Sequence, residues 1–203
     1  MPRHLMALLA VLALGAGLAA AADQRTLTLD PAKTAVSFTI GATLHTVHGS
    51  APLARGVVVF DPDGGAASGE IVVEARLAET GNDKRDRDMH EKVLLSPRFP
   101  SVVLRPARIE GSVPASGKAT ITVHGTVELT GRPHEIAVPV EVTVTGNAVA
   151  IRAEFELPYV DWGLEDPSKF LLAVDKYVTV TVAGSGTLSA GGLQPSAENK
   201  PQP

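Results

Sequence analysis

The chain has 203 residues, with 18 Lys and Arg against 22 Asp and Glu, and no cysteine. A net charge of −4 argues against a nucleic-acid partner held through phosphate contacts, and the missing thiols exclude disulfides, thiolate metal sites and cysteine catalysis. With only five Phe, two Tyr and one Trp, any large interior has to be lined by aliphatic groups.

The first residues read as a leader. Pro2-Arg3-His4 is a short basic start, Leu5 to Leu18 is nearly all apolar, and Ala20-Ala21-Ala22 fits the small-residue cleavage pattern. At about 14 residues the apolar run is short of the ~20 that span a bilayer. A signal peptide over 1–22, cut after Ala22, is therefore expected, with an exported product that has no stable membrane insertion. Residues 23–188 then form one domain, and 189–203, rich in Gly, Ser, Pro, Gln and Asn, are expected to be a disordered tail.

From Thr26 to Leu188 the hydrophobic period is two, the mark of half-buried strands. Val36, Phe38 and Ile40 alternate with Ser37 and Thr39, while Ile71, Val73, Ala75 and Leu77 oppose Glu70, Glu74 and Arg76. Farther on, Ile121, Val123, Val127 and Leu129 oppose Thr122, His124 and Glu128. Val138 and Val140 belong to a similar run, as do Ile151, Phe155 and Leu157 against Arg152, Glu154 and Glu156. Runs near 26–30, 34–40, 43–49, 53–61, 68–79, 101–111, 117–130, 134–145, 148–157 and 174–188 give eight to ten strands. Turn chemistry at Asp61–Gly65, Pro114–Gly117, Thr130–Pro133 and Thr145–Asn147 separates neighbours closely enough to make them antiparallel. An all-β, antiparallel barrel of about eight strands follows, since closure removes exposed edges; a two-sheet sandwich is the alternative.

One segment departs from this pattern. Asn82 to Leu94 carries Asp83/Arg87, Arg87/Glu91 and Asp88/Lys92 at i,i+4 and a narrow apolar stripe of Met89, Val93 and Leu94. It predicts one short α-helix, capped by Thr80 with Asp83 three residues on, lying over an end of the barrel. Asp86 and His90 are spaced for a hydrogen bond, and Arg85, Met89 and His90 are candidate ligand contacts. The later loop Tyr159 to Phe170 gathers Tyr159, Trp162 and Phe170, aromatics suited to closing a barrel mouth.

Motifs for chemistry are sparse. His45 and His48 are three apart in a strand and so point to opposite faces, which argues against a metal site. No G-x-S-x-G elbow surrounds Gly184-Ser185-Gly186, and Asp161, Glu165 and Asp166 read as a turn. No catalytic residue, metal or cofactor is expected. Arg85, Arg87, Lys92 and Lys169 are available to an anionic head, but the helix carries as many acids as bases. An outer-membrane barrel should show aromatic girdles that this chain lacks, and a carbohydrate-binding sandwich should expose aromatics on a sheet face.

Ala35–Ile40, Leu44–Gly49, Ser68–Val73, Thr80–Asn82 with Arg85-Asp86 and Met89-His90, Phe99-Pro100 and Tyr159–Leu164 together resemble the YceI-like family of periplasmic polyisoprenoid-binding proteins, over nearly the whole mature chain. The resemblance implies a lipocalin-like barrel with a helix at one end, enclosing an elongated apolar cavity for an isoprenoid or other long-chain lipid. It implies binding or carriage without catalysis, and a possible homodimer. The ligand contacts it suggests are Phe38, Ile40, Val73, Val123, Val138, Val140, Ile151 and Phe155 along the strands, joined by the helix and loop candidates above. Many members carry a His directly after the first long strand; here Gly41-Ala42-Thr43 intervenes before Leu44-His45, so no role is carried over to that His.

Overall fold

The computed structural model describes residues 24–43, 45–168 and 173–191; residues 1–23, Leu44, residues 169–172 (Lys169 and Phe170 among them) and residues 192–203 lie outside them. Among the described residues nine strands run β1 (Arg25–Leu29), β2 (Ala35–Gly41), β3 (Thr46–Phe60), β4 (Gly65–Glu74), β5 (Ser101–Glu110), β6 (Gly117–Leu129), β7 (Arg132–Thr145), β8 (Ala148–Leu157) and β9 (Val178–Ala190). All pairings are antiparallel, and the order β3-β2-β9-β8-β7-β6-β5-β4 closes on itself through β3–β4. The result is an eight-strand barrel with one extra strand.

The extra strand is β1, and its place explains itself. Leu27 faces Val58 of β3 and Leu188 of β9, while Val36 of β2 faces Ala51 and Val182 of the same two strands. Hence β1 and β2 share one slot in the wall. A 3₁₀ turn at Pro31–Lys33 divides them, started by Asp30, whose carboxylate accepts the Ala32 N–H. Pro31 has no N–H to give a ladder, which suits a break at this point. Opposite the break, Gly184 and Gly186 make room: a Cβ on Gly184 would lie 2.6 Å from Thr34 Oγ1, and one on Gly186 2.2 Å from the Thr28 carbonyl.

Strands β6 and β7 form a long hairpin paired from Leu129↔Arg132 to Gly117↔Val144. Its two turn residues, Thr130 and Gly131, both have positive φ (51° and 75°), as a tight turn matched to strand twist requires. By contrast, β7 and β8 pair only from Thr145↔Ala148 to Val140↔Ala153. The ladder stops beside Pro139, which has no N–H, and the two strands separate toward one end of the barrel.

That end, the mouth, receives the long connections: the β4–β5 link with the helix and the β8–β9 link with the aromatic loop. The opposite end is closed by Phe60, Ile109, Val113, Ile121, Val144 and Leu188 packed together. There Val113 of the β5–β6 loop donates its N–H to Pro62 of the β3–β4 loop at 2.8 Å. Outward faces carry the cross-strand pairs Arg55–Glu70, Arg105–Glu128 and Glu110–His124, with Arg108 joining Glu110 along β5. An oily interior inside a charged wall is the reverse of a membrane barrel. Among the described residues no helix is long and apolar enough to cross a membrane.

Several boundaries differ from expectation. The runs 43–49 and 53–61 join into the single strand β3 through a bulge between Leu53 and Arg55, which moves the inward positions from odd to even numbers. The run 68–79 ends at Glu74, where a 3₁₀ turn at Ala75–Leu77 begins; Leu77 is consequently 63% exposed rather than inward. The final strand reaches Ala190, two residues past the expected domain end.

Candidate functional site

The inward faces leave a cavity of about 890 Å³ running from the closed end to the mouth, toward the upper end of the range for small-molecule sites. Its wall is almost wholly aliphatic. Phe38, Ile40, Val73, Val123, Val138 and Val140 line it, as do Ile151 and Phe155. The same alternation places Val36, Val180 and Val182 on the wall, three positions that the sequence pattern made equally available.

The helix crosses the mouth as α1 (Asp83–Asp88) and continues as a wider π turn over Met89–Val93. Lys84, Arg85, Asp88, Met89, Lys92 and Val93 border the cavity. The cap is Asn82 rather than Thr80: its side chain accepts the Arg85 N–H at 3.0 Å. Thr80 instead ties the helix to the preceding loop. Its N–H and hydroxyl both donate to Asp86, its hydroxyl accepts from Arg85 Nε at 2.7 Å, and its carbonyl accepts from Arg85 Nη2 at 2.9 Å. Arg85 therefore sits at the mouth with its guanidinium engaged. The expected Asp86–His90 bond is absent because Asp86 turns back to Thr80; His90 Nδ1 pairs with Ser96 Oγ at 2.8 Å, and His90 does not border the cavity. Lys92 meets Asp88 at 2.5 Å, and the hydrogen bond it donates to that carboxylate holds the ammonium above its ordinary pKa.

The loop after β8 divides its aromatics. Tyr159 is buried and lines the cavity, and its hydroxyl donates to the Asp175 carbonyl at 2.8 Å. Burial first, then the nearby Asp166 and Asp175 charges, push its pKa up to about 12, so it stays a donor. Trp162 corrects the expectation of a cavity contact: its ring stacks on His134 with centroids 4.3 Å apart and planes 5° from parallel, on the β7 segment that has lost its β8 partner. Phe170 lies outside the described residues. Among the described residues at the mouth, Lys84, Arg85 and Lys92 are balanced by Asp88, Glu165 and Asp166. The Asp166 carboxyl is held below its usual range by hydrogen bonds from Ser168. Lys84 and His45 are mouth residues that helix patterning and metal spacing did not single out.

His134 carries a pH prediction. Its Nε2 is buried without a hydrogen-bond partner among the described residues, and desolvation, followed by the Arg132 charge, lowers its pKa below 6.5. The unfolded chain thus takes up the proton first, so stability is intact above about pH 6.5 and is lost as pH falls from there through the folded pKa. Thermal melts from pH 7.5 to 5 should show a falling Tm in the native protein and a flatter profile in His134→Phe, which keeps the stack on Trp162; equal slopes would refute this.

The profile of the YceI-like domain matches residues 27–185. No curated protein matches the chain. Among solved structures, a polyisoprenoid-binding domain from Saccharophagus degradans implicated in plant cell wall breakdown is similar, with a TM-score of 0.60 at 14% identity over 80% of this chain and 97% of that one. BcnA of Burkholderia cenocepacia gives 0.61 at 17% identity over 77% and 98%. The YceI protein of Campylobacter jejuni gives 0.51 at 12% identity over 68% and 80%. At these identities the likeness is one of fold, and it agrees with the closed, helix-capped barrel. A domain match covering most of the chain, joined to that architecture, means that this protein belongs to the YceI-like family.

Proposed function

We propose that this protein is a non-catalytic carrier that holds the chain of an isoprenoid or similar long lipid inside the barrel. The observation that carries this reading is the aliphatic cavity of about 890 Å³. Each buried methylene contributes about 0.8 kcal/mol, and only a long dry tunnel collects enough of them to offset the cost of immobilising a flexible chain. The balanced charges of the described mouth residues favour a polar but uncharged head over a phosphate. The structural likeness to a polyisoprenoid-binding domain supports the choice of ligand class.

Absence of catalysis is part of the proposal. The Ser96–His90 pair has the spacing of a nucleophile and its base, yet Ser96 is 3% exposed and neither residue borders the cavity, so the pair fastens the end of the helix. The basic, apolar and small-residue sections of 1–22 support delivery to the periplasm. Native mass spectrometry of protein from the periplasmic fraction, followed by organic extraction, should find a polyprenyl or acyl species near one per chain. Empty protein that also takes up no member of a long-chain lipid panel would overturn the reading.

A further inference from the structure

A second hollow, of about 560 Å³, opens on the outer wall at the foot of the mouth. Strand register builds its floor. Thr39 of β2 faces Thr179 of β9, and Thr179 faces Glu156 of β8, so three outward polar side chains form one row across three strands. Thr46 adds another hydroxyl opposite Gly41. The segment before β9 forms the far bank: Asp175 donates its N–H to the Gly41 carbonyl at 2.8 Å. A Cβ on Gly41 would lie 2.2 Å from Asp175 Oδ2, so the bare glycine is what lets that carboxylate lie over the strand.

The Thr39 hydroxyl meets His48 Nδ1 at 3.3 Å, and the other polar tips here are unspent. The side chains of Thr46, Thr179, Glu156, Asp175, Lys176 and Tyr177 make no hydrogen bond or short ion pair among the described residues, whereas ion pairs are frequent elsewhere on the wall. Tyr177 is 50% exposed, a large aromatic half open beside hydroxyls and carboxylates. Two carboxylates against one ammonium disfavour an anion. Hydroxyls that donate and accept, carboxylates that accept and a ring face for C–H contact together suit a neutral polyhydroxylated ring. Val174 borders both this hollow and the barrel cavity, so the two adjoin at the Ala42–Val174 bridge.

We propose that this outer groove is the head subsite of the carrier, taking a neutral polyol such as a sugar or cyclitol attached to the chain in the barrel. The proposal rests on the carrier reading, and the test separates them. Octyl β-glucoside, octanol, octyl phosphate and octyltrimethylammonium, all below micelle formation, share a chain and differ in head. Native protein should bind the glucoside at least tenfold more tightly than octanol. Tyr177→Ala and Gly41→Ala should each abolish that advantage while leaving octanol binding and Tm unchanged. Equal affinity for glucoside and octanol, an advantage that survives Tyr177→Ala, or a preference for the ammonium or phosphate head would overturn the subsite. If no octyl compound enters the barrel, the carrier reading fails separately. Methyl β-glucoside then judges the groove alone: shifts of the Thr39, Thr46, Thr179 and Tyr177 amides support it, and their absence overturns it.

Discussion

Val140→Trp is expected to weaken lipid binding about a hundredfold while leaving the barrel folded. Val140 is half-buried, lines the cavity and touches the cluster at the closed end, so an indole there projects into open space rather than into packed atoms. Overpacking of a filled core costs about 1–3 kcal/mol; an existing cavity relieves most of that. If the indole displaces about four methylenes of bound chain, at about 0.8 kcal/mol each, the loss is about 3 kcal/mol, or a hundredfold in Kd. Calorimetric titration with a polyprenyl alcohol measures it, with Glu141→Trp, on the exposed side of the same strand, as the control. Undiminished binding in Val140→Trp would place the lipid elsewhere.

Phe60→Ala should produce the largest loss of stability. Phe60 is 4% exposed and sits in the plug that closes the far end, where truncation removes its burial and leaves a void, about 3–5 kcal/mol. For a domain of this size that lowers Tm by roughly 10 °C. Leu77→Ala, at a leucine that the alternation pattern would place inside but which is 63% exposed, should move Tm by less than about 2 °C. A Phe60→Ala protein that melts like the native one would show that the closed end is not the stable part of the barrel.

The contrast between these leucine and phenylalanine positions shows what alternation can and cannot reveal. A period of two found the wall strands and most of the cavity face, because the pleat enforces it wherever a strand is regular. It failed where regularity ends. The bulges at Leu53/Arg55 and Pro106/Arg108 exchange inside and outside, and the turn after Glu74 releases Leu77 outward. The helix was legible from its charge spacing and apolar stripe, but its cap was not: Thr80 and Asn82 are both able to cap, and the choice rests on Asp86 reaching back to Thr80. Trp162 was legible as an aromatic at the mouth, yet its partner His134 lies on a strand edge freed by the end of the β7–β8 ladder, which only the three-dimensional register reveals. The shared slot of β1 and β2 was equally hidden, since two short strands separated by Pro31 read as independent elements.

That shared slot has a consequence for the time at which the protein first becomes able to work. β9 holds β8 on one side and both β1 and β2 on the other, so the ring has no smaller closed version. Ribosomes add about 5–20 residues per second, which puts about seven to thirty seconds between the emergence of Ala35 and that of its partner Ala183. Throughout that interval the ring cannot close, and any strands already paired keep an oily face and free edges, the state in which β-proteins are most easily captured by one another. The cavity itself does not exist until that last strand arrives.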